Sequence, residues 1–417
     1  MAGSIRILAF LATCLIAAWA TASRAEDYPR PKVRTVTAFV RLEPADYAAQ
    51  IAEALGVLRA ARGELEQQGY EVQTLRIVTQ PLGELVAGRS EAAALAFLKT
   101  LNDLAAKEGF IPNVGPGMLR DADDPRTLQL LAHAMAMFPN LMGSAIIAGE
   151  DGIHWRVIHE SAALVRYLAD HTAHGQGNFR FTATAMLKPY GPFYPGAWHA
   201  GPGRRFSMGL QGASLVEEVF ARTPGDFDAS VAELTRALTV HAQAAEKVGE
   251  RVAAASHWTF MGVDPTPAPA PLAGASIGAA IERYTGARFG SSGTLTAALI
   301  ITTAVKAVPV RHIGFSGLMV PVMEDRVLAQ RWAEGAYNTD ALLAYSSVCA
   351  TGLDTVPYPG DITEEQLARI LGDVASLARK WSKPLAARLL PVPGKAAGER
   401  TDFSDPFLFN TTLHAVP

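Results

Sequence analysis

Alternation of strand-like and helix-like segments is the feature that most constrains this chain. Thr35 to Val40 alternates as a strand. After Pro44 comes a helical stripe with apolar residues at Ile51, Leu55, Leu58, Ala61 and Leu65, closed by Gly69. Glu71 to Thr79 reads as a second strand and Ser90 to Lys107 as a second helix. The pattern recurs to the end of the chain, which places the fold in the α/β class. Val231, Leu234, Leu238, Ala242, Ala245, Val248 and Val252 form one stripe of a helix over Ser230 to Ala254. Thr363-Glu-Glu-Gln366 is a capping box opening another. The run TLTAALIITTAVKAV, Thr294 to Val308, is apolar nearly all round, which predicts a centrally buried helix. No repeat or low-complexity segment divides the chain. The Pro-rich runs at 189–202 and 265–271 are short and read as rigid loops over a core, so one compact unit is expected.

The first 25 residues differ in kind. Arg6, an apolar run from Ile7 to Ala20 and the small-x-small site Ser23-Arg-Ala25 read as a cleavable signal peptide. The run is shorter than the roughly 20 residues a spanning helix needs. A short tether, 26–33, follows, and the expected compartment is outside the bacterial cytoplasm, periplasmic or secreted. Losing Arg6 and Arg24 takes the formal net charge from −3 to −5, which disfavours nucleic acid or an anionic membrane as partner. Cys14 leaves with the signal, so Cys349 stands alone: no intramolecular disulfide and no cysteine-based metal site can form. Its thiol is either packed in the interior or kept for chemistry.

Five polar segments stand out against the apolar background. Gly196 to Arg205 carries His199, Arg204 and Arg205 on a glycine-rich loop that suits an anion, or is simply solvated. Gly262 to Pro269 is a loop at a strand end, fixing Asp264 and Thr266; Asp264 could serve a site or only satisfy an Asx-turn. Gly290-Ser291-Ser292-Gly293-Thr294 opens the apolar helix, and its backbone N–H groups suit a carboxylate or phosphate, or only a cap. It lacks the Gly-Lys-Ser/Thr ending of a nucleotide-binding loop. Gly314-Phe-Ser316-Gly317 just misses a nucleophile elbow, and Glu324-Asp325 are expected at the end of an apolar strand, as acid/base groups, cation ligands or a helix start. The fifth segment, SSVCATGLDTVPYPGD, places Cys349 five residues before Asp354, with Gly352, Pro357, Pro359 and Gly360 fixing a turn.

Read together, GSSGTLTAAL, GFSGLMVPVMEDRVLA and YSSVCATGLDTVPYPGD resemble the domain-of-unknown-function family 711, also called uncharacterised protein family 0210. The likeness extends back through FMGVDPTPAPAPLAGASIGAAIE and YPGAWHAGPG to VRTVTAFV. What it implies is a fold: a single ten-stranded α/β barrel over 34–417, similar to the pyruvate-formate-lyase and anaerobic ribonucleotide-reductase barrel. In those enzymes a cysteine sits on a loop inside the barrel. Cys349, Gly352, Leu353 and Asp354 carry the matching Cys-x-x-Gly-Leu-Asp pattern. No Arg-Val-x-Gly-Tyr type run occurs near the C-terminus, so no glycyl radical is implied. Ala200 and the Arg204-Arg205 pair depart from many members, which bears on ligand preference.

Two functions are compatible with these residues. One is a non-radical enzyme acting on a small anionic metabolite. Ser291, Ser292, Gly293 and Thr294, with Arg204, Arg205 and Ser316, would bind the anion. Asp354 or Glu324 would act as acid/base, Cys349 as nucleophile or proton donor, and His199 would close the site. A divalent cation on Asp264, Glu324 and Asp325 is a variant of this reading. The other is a binding protein that captures the same ligand without chemistry. A homo-oligomer, or a structural subunit needing a partner, is left open.

Overall fold

The computed structural model describes residues 28–43, 45–193, 195–270, 274–348 and 351–416. The signal segment and Cys349 lie outside them. The described residues contain ten strands: β1 (Lys32–Phe39), β2 (Val72–Val78), β3 (Ile111–Asn113), β4 (Gly143–Gly149), β5 (Gly152–Ile153), β6 (Phe181–Ala185), β7 (Arg205–Gln211), β8 (Thr259–Asp264), β9 (Gly352–Pro359) and β10 (Leu385–Val392). They form two five-stranded sheets, ordered β3-β2-β1-β7-β8 and β5-β4-β6-β10-β9. The mixed α/β class holds; the ten strands expected in a single barrel are hydrogen-bonded as two five-stranded sheets.

The first sheet has three parallel pairings and one antiparallel pairing, and the second has two of each. In the first, β1 runs parallel to β2 and antiparallel to β7, which in turn runs parallel to β8. In the second, β4 and β6 are parallel, β6 and β10 antiparallel, and β10 and β9 parallel. Parallel neighbours need long crossovers, and the helices supply them. The helix Tyr47–Gln67 links β1 to β2 and buries Ile51, Leu55, Leu58, Ala61 and Leu65, the stripe read from the sequence. Thr363 caps Glu364–Trp381 through the capping box, and that helix links β9 to β10.

Several expectations shift. The 26–33 stretch is no free tether where it is described: Tyr28 is buried, its hydroxyl donates to Glu233, and Arg222 lies 4.3 Å over its ring. The apolar helix Thr294–Ala307 is not enclosed all round, since Leu295 and Leu299 are 40% and 38% exposed. No strand precedes Glu324; residues 318–320 are irregular and Pro321 makes a single bridge to Asp354. Gly352 to Pro359 is a buried strand and not a turn. Its prolines are tolerated because β9 lies at a sheet edge, where a missing N–H costs no ladder bond.

Small residues allow the close packing of helix on sheet. A Cβ at Gly249 would sit 2.4 Å from the ring of Phe260, so the long helix Phe227–Ser256 can approach β8 only with glycine there. No helix among the described residues is long and apolar enough to cross a membrane.

Candidate functional site

The strands bury polar side chains where an ordinary sheet core would be apolar. Thr35 and Thr37 on β1, Thr182 and Thr184 on β6 and Ser207 on β7 are all buried. Charged groups join them. A cavity of about 140 Å³ lies between the sheets, and Arg34, Arg76, Glu324, Asp354 and Arg388 all line it.

Strand irregularities aim these side chains. Between the pairs Val33–Leu210 and Thr35–Gly209, β1 has one residue more than β7, so Arg34 is the extra residue of a β-bulge. Between Ala387–Leu353 and Leu389–Val356, β9 has one residue more than β10, so Asp354 and Thr355 together oppose Arg388. Thr355 has φ +48°, a left-handed conformation that a β-branched residue rarely takes. Its hydroxyl accepts from the Met323 N–H at 3.2 Å, and the Asp354 carbonyl accepts from the Val322 N–H at 2.9 Å. Those two bonds pin the segment carrying Glu324 against β9.

The result is one buried guanidinium holding two carboxylates. Arg388 Nε donates to Asp354 and Arg388 Nη2 to Glu324; the three side chains are only 11–13% exposed. Arg388 also lies 5.1 Å over the Phe179 ring. Arg34 donates to Gln73 at 3.2 Å and lies 5.7 Å over Phe407. Arg76 Nε donates to the Thr74 hydroxyl at 3.1 Å. Burial raises the Glu324 pKa; Arg388 and Arg34 oppose that rise, and the Asp354 charge adds to it. Burial and Arg388 together lower the pKa of Arg34, against Glu324. Burial would lower Arg388 too, but Asp354 and Glu324 outweigh it and hold the guanidinium charged. With both carboxylates ionised the five groups sum to one positive charge, and a proton on Glu324 raises the excess to two. Such a cavity favours an anion.

The residues proposed from sequence divide sharply. Glu324 and Asp354 meet here. Cys349 lies outside the described residues; Thr351, two positions later, lines the cavity. Ser291, Ser292 and Gly293 are exposed at the start of the helix and line none of it. Thr294 accepts from the Gly290 N–H at 3.0 Å, which is a local cap. Arg204 pairs with Glu53 at the surface, and Arg205 lies 4.7 Å over Tyr190. Asp264 is buried and accepts from Thr266 N–H and hydroxyl, Phe315 N–H and Ser316 N–H. Asp325 caps the helix Arg326–Ala333 and accepts from Ser276, Ile277 and Gly278. Both aspartates bind loops to each other. No three His, Cys, Asp or Glu side chains gather to hold a metal ion among the described residues.

His199 is fully buried, neither ring nitrogen is hydrogen-bonded among the described residues, and it is not among the cavity-lining groups. Burial, with Arg205 and Arg41 beyond, lowers its pKa to about 4, so it is neutral at pH 7. Ser316 lies on the wall of a second cavity. Sequence reasoning passed over Arg34, Arg76 and Arg388. Each is a lone cation inside a strand-like apolar run (VRTV, LRIV, ARLL), and that mismatch is the signal that finds them.

Comparison with known proteins agrees with the resemblance noted above. The UPF0210 protein PAE3581 of Pyrobaculum aerophilum is 34% identical over 350 residues, covering 80% of this chain and 76% of that protein. A UPF0210 protein of Pyrobaculum arsenaticum is 34% identical over 373 residues, covering 87% and 79%. Among solved structures, a chain described as anaerobic ribonucleotide reductase aligns over 85% of this chain and 70% of its own length. That alignment has a TM-score of 0.39 and 8% identity, too distant to establish a shared mechanism. A family model described as Uncharacterised ACR (DUF711) matches residues 27–404. The chain belongs to that family.

Proposed function

We propose that this protein binds a small anionic metabolite in the cavity between its sheets and acts on it by acid–base chemistry, without a radical. The observation that carries the reading is the convergence of Arg34, Arg76 and Arg388 on one cavity that, among the described residues, two carboxylates, Glu324 and Asp354, also line. A volume of about 140 Å³ limits the ligand to a few heavy atoms, since a cavity near 150 Å³ holds a molecule of about benzene's size. Glu324 is the acid/base group: burial favours its protonated form, and Arg388 keeps both carboxylates oriented. Cys349 is a candidate second proton donor, by its place two residues before Thr351.

In this reading the two sheets are the halves of a ten-stranded barrel. Bonds at their margins support that closure. Val114 N–H donates to Met142 and Met142 N–H to Pro112, joining β3 to the start of β4. On the other side, bridges Val263–His312 and Pro321–Asp354 tie residues 312–321 to β8 and β9. Export remains our proposal from the first 25 residues, and the family match beginning at residue 27 is compatible with it.

The test is solvent-deuterium exchange into small carboxylic and phosphorylated acids by the purified protein. Exchange at a carbon of one such acid, lost in Glu324→Gln with binding retained, supports an enzyme. Binding that survives without exchange or turnover supports the second reading, a ligand-binding protein.

A further inference from the structure

We infer that Ser316 and His312 form a second reactive site, a serine nucleophile with its base, which takes a carboxylic ester at a cavity separate from the arginine-lined one. This cavity has a volume of about 960 Å³ and is lined by His312, Ser316, Lys188, Arg379 and apolar residues including Trp198 and Leu187. That volume is in the range of pockets that hold ordinary organic ligands, roughly 300–1,000 Å³.

The proton positions follow from partner chemistry. His312 Nε2 lies 2.7 Å from the Val308 carbonyl oxygen, which can only accept, so Nε2 carries the hydrogen. In the neutral ring Nδ1 is then a bare acceptor, and it lies 3.1 Å from Ser316 Oγ. The Val308 carbonyl thus sets the tautomer, as the carboxylate does in a serine-histidine-aspartate triad. The Ser316 hydroxyl has one further acceptor, the Ile313 carbonyl at 3.1 Å, so its proton alternates between the two until an electrophile arrives.

The backbone is held where serine seldom sits. Ser316 has φ +44° between Gly314 at +72° and Gly317. Such conformations persist only where surrounding bonds over-determine them, and they gather at functional positions. Here Asp264 accepts from Phe315 N–H at 2.8 Å and Ser316 N–H at 3.1 Å, and Thr266 Oγ1 accepts from Gly317 N–H at 3.0 Å. The same bonds consume the amides that would otherwise stabilise an oxyanion. Lys188 is exposed, lines the same cavity and has no ion pair among the described residues, so it is the cation available for that charge.

The reaction balances without any other reagent. Ser316 Oγ bonds to the ester carbonyl carbon as its proton passes to His312 Nδ1. The bond to the alcohol oxygen breaks, and Nδ1 returns the proton to that oxygen. Water then gives a proton to Nδ1 and attacks the acyl-serine; the proton goes back to Ser316 Oγ as the carboxylic acid leaves.

A fluorophosphonate probe tests this directly, since it phosphonylates an activated serine and releases fluoride. Incubation of the whole protein followed by peptide mapping should place one adduct on Ser316. Ser316→Ala should carry none, and His312→Gln should slow labelling by about two orders of magnitude or more. Mapping on the unmodified sequence needs no variant to fold. An adduct on another residue, or no adduct on folded protein under conditions that label a known serine esterase, overturns the inference. So does labelling of Ser316 at the same rate in His312→Gln.

Discussion

Asp354 meets Arg388 because β9 carries one residue more than β10 between the pairs Ala387–Leu353 and Leu389–Val356. The extra residue puts Thr355 at φ +48°, and its hydroxyl in turn secures the segment that delivers Glu324. A local backbone irregularity thus assembles a buried cation between two acids.

Removing that cation strands both acids. Arg388→Gln is expected to destabilise by about 3–5 kcal/mol, the usual consequence of leaving a buried charge unpaired. Urea unfolding measures it. Adding Glu324→Gln and Asp354→Asn to the same chain should restore most of the loss. A triple variant no more stable than the single one would show that the three groups are not energetically coupled.

Asp264 gives a pH signature. Burial lifts its pKa to about 6 from an ordinary 3.8, against four donors that favour the ionised form. The folded state therefore holds its proton to higher pH than the unfolded state does. The stability this group contributes is complete below about pH 4 and is lost as pH rises through about 6. The loss is on the order of 3 kcal/mol. Stability curves from pH 3.5 to 7 should show this segment, and Asp264→Asn should lack it.

His199 predicts the opposite slope. Its folded pKa, about 4, lies below its ordinary 6.5, so protonation favours the unfolded chain and stability falls as pH drops from about 6.5 toward 4. Neither ring nitrogen has a partner among the described residues, so an apolar ring gives up no hydrogen bond there. His199→Phe should be neutral or stabilising at pH 7 and should flatten that limb. A loss above about 2 kcal/mol would mean that the nitrogens are satisfied by a group the packing does not show.

Gly293 separates the surface helix start from the cavity. Gly293→Asp places a side chain at φ +101° and sets its Cβ 3.2 Å from Thr285, so some stability is lost. Affinity for a small anion should be unchanged in the folded variant if, as proposed, the ligand binds among the arginines. Abolished affinity would return the anion site to Ser291–Thr294.

Much of the fold could be read directly. Apolar spacing at Ile51, Leu55, Leu58 and Leu65 and the Thr363 capping box mark real helices, because these signals depend only on neighbours along the chain. The site was half legible. Glu324 and Asp354 stood out as acids among apolar residues, but their partner Arg388 lies on another strand and reaches Asp354 through a bulge that no local pattern announces. Gly352 to Pro359 misled for a related reason: its glycine and prolines signal a turn, while an edge position in a sheet tolerates both. The Ser291–Thr294 helix start lies apart from that cavity, which no local pattern tells, since local donors look alike whether they face a ligand or water.

The central claim is that Arg34, Arg76 and Arg388 bind a small anion between the sheets. Calorimetric titration of small mono- and dicarboxylates and inorganic phosphate into the protein and into Arg34→Gln tests it most directly. The account predicts one saturable site for at least one of these anions, weakened about one to two orders of magnitude in Arg34→Gln, as loss of a charged hydrogen bond worth about 1.5–3 kcal/mol requires. Equal affinity in the two proteins, with Arg34→Gln folded to the same melting temperature, would contradict it.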